Sequence, residues 1–237
     1  FVYELSEDYM VHLSIEPHNM QTELAQNVNS LELQWRQLIP QQEQGRKFEE
    51  RYAQLQYMCV GGDIEKLSES KDASKKESSR VKWIGYKDQF FSTVLIADDA
   101  LSSPELQSTI QPKQSGYIKE YSTRTSVPFD LNGKTPTGFR FYCGPNHYHT
   151  LKAYDKDVAK DDRLHLNKLV PLGWKIVSWI NVILVIPMFD LFTGWGLHIG
   201  IVILLMTLVI KLIILPFVFV SYKSSAKMRA LKPQIDA

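Results

Sequence analysis

The sequence predicts a mainly β domain followed by a helical membrane segment, and three observations carry that prediction. Apolar residues recur at every second position in short runs between Tyr9 and Tyr142. The stretch Ile176–Phe192 is mostly apolar, and Leu197–Val220 is apolar almost without interruption. Period-2 spacing with aromatic and β-branched residues is the pattern of half-buried strands. A run of more than about 18 apolar residues is the pattern of a membrane-spanning helix.

In chain order, residues 1–62 read as strands joined by polar linkers. Tyr9, Val11, Leu13 and Ile15 share one face, and Leu31, Leu33 and Trp35 alternate in the same way. Residues 40–48 form a polar connector, and Tyr57, Cys59 and Gly61-Gly62 read as a strand ending in a turn. Residues 63–80, DIEKLSESKDASKKESSR, are rich in serine and mixed charge. So few large apolar side chains predict a long exposed loop or a short frayed helix.

Strand character returns at Val81–Tyr86 and Phe90–Ala97, and Pro104 and Pro112 mark Asp98–Gln114 as a loop. Tyr117–Leu131, Asn132-Gly133 and Thr137–Tyr142 read as strand, turn and strand, because Asn-Gly is a strong turn signal. Together these short strands predict an antiparallel sandwich. His147 and His149 would share a face if they lie on a strand; a metal pair is one reading, and ordinary surface or capping histidines the other. No nucleophile motif, glycine-rich phosphate loop or paired carboxylate stands out in residues 1–165.

The second apolar stretch, within Leu164–Phe192, is broken by Pro187 and carries Trp174 and Trp179. That pattern predicts an interfacial amphipathic helix with its tryptophans at headgroup depth. The alternative is a second complete span, forming a helical hairpin with the run that follows. The 24 residues Leu197–Val220 hold one fully charged side chain, Lys211, and one histidine, His198. At a rise of about 1.5 Å per residue the run covers roughly 36 Å, against a hydrocarbon core of about 30 Å. A helix buried in a large soluble core is the competing reading.

Lys211 has fourteen residues of the run before it and nine after. A cation there costs about 2.5–3.5 kcal/mol on insertion scales, so it either faces a bundle interior or wet cavity, or snorkels about 13 Å to the near interface. Helical spacing puts Thr207, Leu204 and Gly200 on the same stripe. Past Pro216, the residues Lys223, Lys227, Arg229 and Lys232 form a basic flank. An excess of Lys and Arg beside a span marks the cytoplasmic side, so the front domain belongs outside. A large outer domain without an export signal ahead of Phe1 predicts that the sequence is a piece of a longer chain with an earlier membrane segment.

The formal net charge is +1, and no basic stripe outside the flank suggests a nucleic-acid partner. Cys59 and Cys143 are the two cysteines; in an oxidising space they could pair, but their spacing does not place them in contact. There is no CxxC or other metal-ligand spacing, and no cofactor or metal is expected.

The back third resembles the YidC-type membrane protein insertases. The resemblance rests on Tyr222-Lys-Ser-Ser-Ala-Lys-Met-Arg-Ala-Leu-Lys-Pro233 and on Lys211 standing five positions before Pro216. Gly144-Pro-Asn-His-Tyr148 extends it to the large periplasmic domain of Gram-negative members. The resemblance implies four segments: a periplasmic β-super-sandwich over 1–165, a linker and interfacial helix over 166–194, the first transmembrane helix of a five-helix core over 195–222, and the start of a basic cytoplasmic hairpin over 223–237. It implies a non-enzymatic insertase and chaperone of the inner membrane, with a hydrophilic groove lined by Lys211 and Thr207. Lysine departs from the arginine commoner at that place in the family; it keeps the charge and loses the bidentate fork. The implied partners are nascent membrane proteins, the lipid bilayer, the Sec translocon and the ribosome. A membrane-anchored domain binding carbohydrate or peptide is the competing function; it has no need of a mid-membrane lysine.

Overall fold

A computed structural model describes the backbone of residues 1–235 and the side chains of residues 1–229. It divides into a unit Phe1–Val170 and a second unit starting at Pro171. The first unit is built from strands β1 (Val2–Leu5), β2 (Met10–Ile15), β3 (Ser30–Pro40), β4 (Gln54–Cys59), β5 (Ile64–Lys66), β6 (Ala73–Lys76), β7 (Val81–Lys87), β8 (Phe91–Ile110), β9 (Tyr117–Pro128) and β10 (Thr137–Pro145). Helix α1 (Arg46–Tyr52) precedes β4, and α2 (Tyr148–Ala153) follows β10.

Every strand pairing is antiparallel. One sheet runs β1-β2-β10-β8-β7-β4-β5; in the other, β3 pairs with β9, β9 with β8, and β8 with β6. Strand β8 belongs to both. Its first half pairs with β7 and β10, and its second half, from Ser102, pairs with β9 and β6. The register shifts between Ser102 and Glu105, where Ser103 has a φ of 47° and Pro104 follows. The loop expected over 98–114 is therefore largely strand: Pro104 sits at a bulge, where the ladder does not call on its missing N–H.

Alternation along the shared sheet sends side chains to two cores. Ile84, Leu95 and Phe139 meet Ile39, Leu106 and Tyr121 of the other sheet. Trp83, Val94 and Ile96 point the opposite way, against Leu151 of α2 and against Leu164, Leu166 and Leu169. The Trp83 indole donates to the Leu164 carbonyl at 2.7 Å, so this large buried ring has its polar group satisfied. Leu166 and Leu169 are fully buried, so the first unit includes residues 166–170, which the sequence had put in the linker.

Residues 63–80 also depart from the expected loop. Strand β5 pairs with β4, β6 pairs with β8, and Leu67 between them is buried. The polar side chains of this stretch satisfy one another. The Tyr57 hydroxyl lies 2.8 Å from Glu65 and 3.0 Å from Glu77, and Lys75 pairs with both carboxylates. The Glu77 carboxyl is held down to about 2, first by the Ser79 N–H, then by Lys75 and Tyr57. Composition reads such an edge as unstructured because its apolar content is low and its stabilisation is polar. The Asn132-Gly133 turn is present: Gly133 has a φ of 70°, and a Cβ there would lie 2.5 Å from the Pro17 carbonyl.

In the second unit, one helical stretch, Lys175–Gly194, is made of α3 (Lys175–Ile180), a π-helical segment (Asn181–Val185) and α4 (Ile186–Gly194). The wider turn falls immediately ahead of Pro187, where a proline ring would collide with the carbonyl four residues back in a regular helix. The proline thus does not end the helix, and its 20 residues are long and apolar enough to cross a membrane by length and composition. Gly196, at φ 70°, turns the chain before α5 (Ile199–Ile235). Met188 and Phe192 of α4 pack with Val202, and Leu205, Met206 and Val209 of α5 join that cluster.

Candidate functional site: the charged face of the long helix

Helix α5 runs without a break through Lys211 and Pro216 to Ile235. Its apolar span is one of two such helices among the described residues. The stripe packed on α4 is Val202, Leu205, Met206 and Val209. At about 100° per residue, Thr207 and Lys211 fall on the opposite side, one turn apart. Both are exposed. The Thr207 hydroxyl donates to the Ile203 carbonyl at 2.8 Å, which keeps its oxygen as an acceptor facing outward. Among the described residues, Lys211 has no ion-pair or hydrogen-bond partner. Gly200 and Leu204 precede it on this face, and Val218 and Tyr222 follow.

Lys211 stands about 18 Å along the axis from Ile199 and about 13 Å from Val220, so its ammonium is anchored well inside the apolar run. Lys223, Lys227 and Arg229 are exposed on the last described turns. Lys232 lies outside the described side chains. The helix therefore brings Thr207 and Lys211 together on one face, while the flank occupies a separate stretch farther along.

The first unit treats buried charge differently. Lys119 and Lys87 are 1% and 2% exposed. Lys119 donates to the carbonyls of Glu50, Ala53 and Glu69 at 3.0, 2.7 and 2.8 Å, and Lys87 donates to that of Tyr52 at 2.7 Å. Burial pushes both ammonium groups down to about 8. Three of the carbonyls belong to the C-terminal end of α1, where the helix dipole favours cations. These lysines went unread in the sequence because an isolated lysine in an alternating strand reads as outward-facing; two adjacent buried positions, Ile118 and Lys119, break that alternation.

His147 and His149 do not share a strand face, because α2 starts at Tyr148; His147 Nδ1 lies 2.9 Å from the Thr150 hydroxyl. Among the described residues no group of three or more His, Cys, Asp or Glu side chains is placed to hold a metal ion. Cys59 and Cys143 are unpaired.

A large antiparallel β domain followed by two helices, each long and apolar enough to cross a membrane, defines the class of protein. A family model described as the YidC periplasmic domain matches residues 1–187, and the chain belongs to the YidC family. It is similar, at 49% identity over 238 residues, to the membrane protein insertase YidC of Azobacteroides pseudotrichonymphae genomovar. CFP2, with 100% of this chain and 39% of that protein covered. It is likewise 49% identical over 238 residues to the membrane protein insertase YidC of Parabacteroides distasonis, covering 37% of it. The corresponding protein of Bacteroides fragilis is 44% identical over 237 residues, with 38% covered. The chain thus spans under two-fifths of the length of these relatives.

Proposed function

We propose that this chain is the outer domain and the first groove helix of an insertase that moves nascent membrane proteins from the cytoplasm into the bilayer. The observation that carries the reading is the lysine at mid-span on the face of α5 turned away from α4. In a hydrated groove of the complete protein, Lys211 would attract acidic residues of a substrate's polar tail through a medium of low dielectric. Thr207 would offer its oxygen to the same wet face. No bond is made or broken; transfer of the substrate's apolar segment into lipid, at about 25 cal/mol per Å², drives its release. The basic flank from Lys223 would hold anionic lipid on the cytoplasmic side and open the region that meets substrate, the ribosome or the Sec translocon.

The direction of the chain follows from parity. The matched family model is that of a periplasmic domain, and the basic flank belongs in the cytoplasm, so an odd number of spans must separate them. On this reading α5 crosses and Lys175–Gly194 lies on the outer membrane surface. The packing of Met188 and Phe192 on α5 favours a second reading, a two-span hairpin. Labelling single cysteines at Trp179 and Tyr222 from either side separates the two: opposite-side access supports one span, same-side access the hairpin.

The functional test is complementation with the complete protein. Lys211→Glu is expected to abolish insertion and Lys211→Arg to preserve it. Full activity in Lys211→Glu overturns the role of the charge.

A further inference from the structure

The end of the first unit carries two neighbouring cavities, one rich in carboxylates and one rich in cations, which meet at Arg163 and His165. One, of about 580 Å³, holds five aspartates, Asp161 and Asp162 among them, beside Lys82 and Lys160, and it shares Arg163 and His165 with its neighbour. The other, of about 530 Å³, is lined by Lys152, Lys156 and Arg163 with a single carboxylate, Asp155. That carboxylate is already engaged. Its Oδ1 accepts from the Leu164 N–H at 2.6 Å and its Oδ2 from the His165 N–H at 2.9 Å. Three cations therefore line this cavity with one acid whose oxygens are largely occupied by backbone donors.

Two of the cations are also positioned. The Arg163 Nε donates to the Val158 carbonyl at 3.3 Å, which sets the guanidinium and leaves its two Nη groups to a ligand. The Lys152 ammonium stands 5.6 Å over the Tyr148 ring. The His165 and Asp157 backbones hold φ values of 51° and 60°, so the strap adopts a shape that side-chain-bearing residues rarely take. A guanidinium fork beside two ammonium groups is suited to the tetrahedral oxygens of phosphate.

We infer that this cavity binds a phosphate group. Asn167 lines it, and Trp174 opens the apolar helical stretch seven residues on, at most about 25 Å away even along a fully extended chain. Phosphate could therefore come from a lipid headgroup or from solution. The lipid source rests on the reading that Lys175–Gly194 is membrane-associated; the phosphate site itself does not.

The test uses the full chain in detergent micelles, with the imidazole resonances of His149 and His165 as reporters. Three probes are titrated: dihexanoylphosphatidylglycerol, dihexanoylphosphatidylcholine and inorganic phosphate. A saturable shift is expected, weakened at least tenfold by Lys152→Gln with Arg163→Gln and unchanged by Lys134→Gln, which lies elsewhere on the surface. Saturation by phosphatidylglycerol with no response to inorganic phosphate assigns the site to a headgroup; saturation by both assigns it to the phosphate itself. The absence of saturation with every probe, or equal affinity in the double variant, overturns the proposal. If the double variant loses its near-ultraviolet circular dichroism, salt supplies the readout. Binding by wild type must then weaken as ionic strength rises from about 0.05 to 0.5 M, and an unchanged affinity overturns the proposal.

Discussion

Two lysines set the two units apart. Lys119 is buried in the sandwich, and three carbonyl oxygens receive its three protons. Lys211 lies in an apolar helix and has no partner among the described residues. The first is what a self-contained fold does with a charge it must bury: it surrounds the charge with acceptors so that desolvation is offset. The second is a charge with no partner on its own helix, and the proposed groove would answer it. In a folded protein, unanswered charge in apolar surroundings is costly enough that it points to function.

Substitution by methionine, which keeps the length and removes the charge, tests this contrast most directly. Lys119→Met should destabilise the first unit by about 3–4 kcal/mol, because three buried carbonyls lose their donor. Chemical unfolding of the full chain followed by near-ultraviolet circular dichroism measures it, and a neutral result would show that the carbonyls are hydrated. Lys211→Met should act with the opposite sign, favouring insertion of α5 by about 2.5–3.5 kcal/mol. A helix-insertion assay reads that change. No gain would mean that the amine already reaches an interface, and the contrast would dissolve.

Smaller effects sharpen the picture of the sandwich. Tyr57→Phe should cost about 1–2 kcal/mol, since Glu65 and Glu77 each lose one of several donors. A further test concerns pH. Lys87 and Lys119 titrate at about 8 in the folded unit, against an ordinary 10.5. The unfolded chain then binds protons more tightly than the folded one, so stability rises with pH between about 8 and 10.5. A denaturation midpoint that falls across this window contradicts the burial argument.

What could be read in the sequence follows the same division. Lys211 stands out because a lysine among Leu, Ile and Val breaks a pattern that nothing else in the run disturbs. Strands β2 and β3 were legible from alternation, and β7 from its aromatic and β-branched residues, because both of its faces are buried. Strands β5 and β6 were not: their pairing is stabilised by Tyr57, Glu65, Lys75 and Glu77, and polar contacts leave no hydrophobic period. Strand β8 was read only to its midpoint, because Pro104 signals a break unless one knows that the strand changes sheets there. His147, Tyr148 and His149 alternate as a strand would, yet a helical turn forms because Leu151 of α2 is buried against Trp83 and Leu166. The cation-rich cavity was illegible because Lys152, Lys156 and Arg163 are interleaved along the chain with Asp155, Asp157, Asp161 and Asp162.

Strand β8 has a consequence for how the first unit comes apart. Because a single run of backbone is laddered into both layers, neither layer can fray alone past its edge strands. An opening that frees β9 strips protection from the same strand that secures β7 and β10. The two layers should therefore behave as one cooperative block, and local melting should be confined to the edge strands β1, β5, β6 and the outer margin of β3.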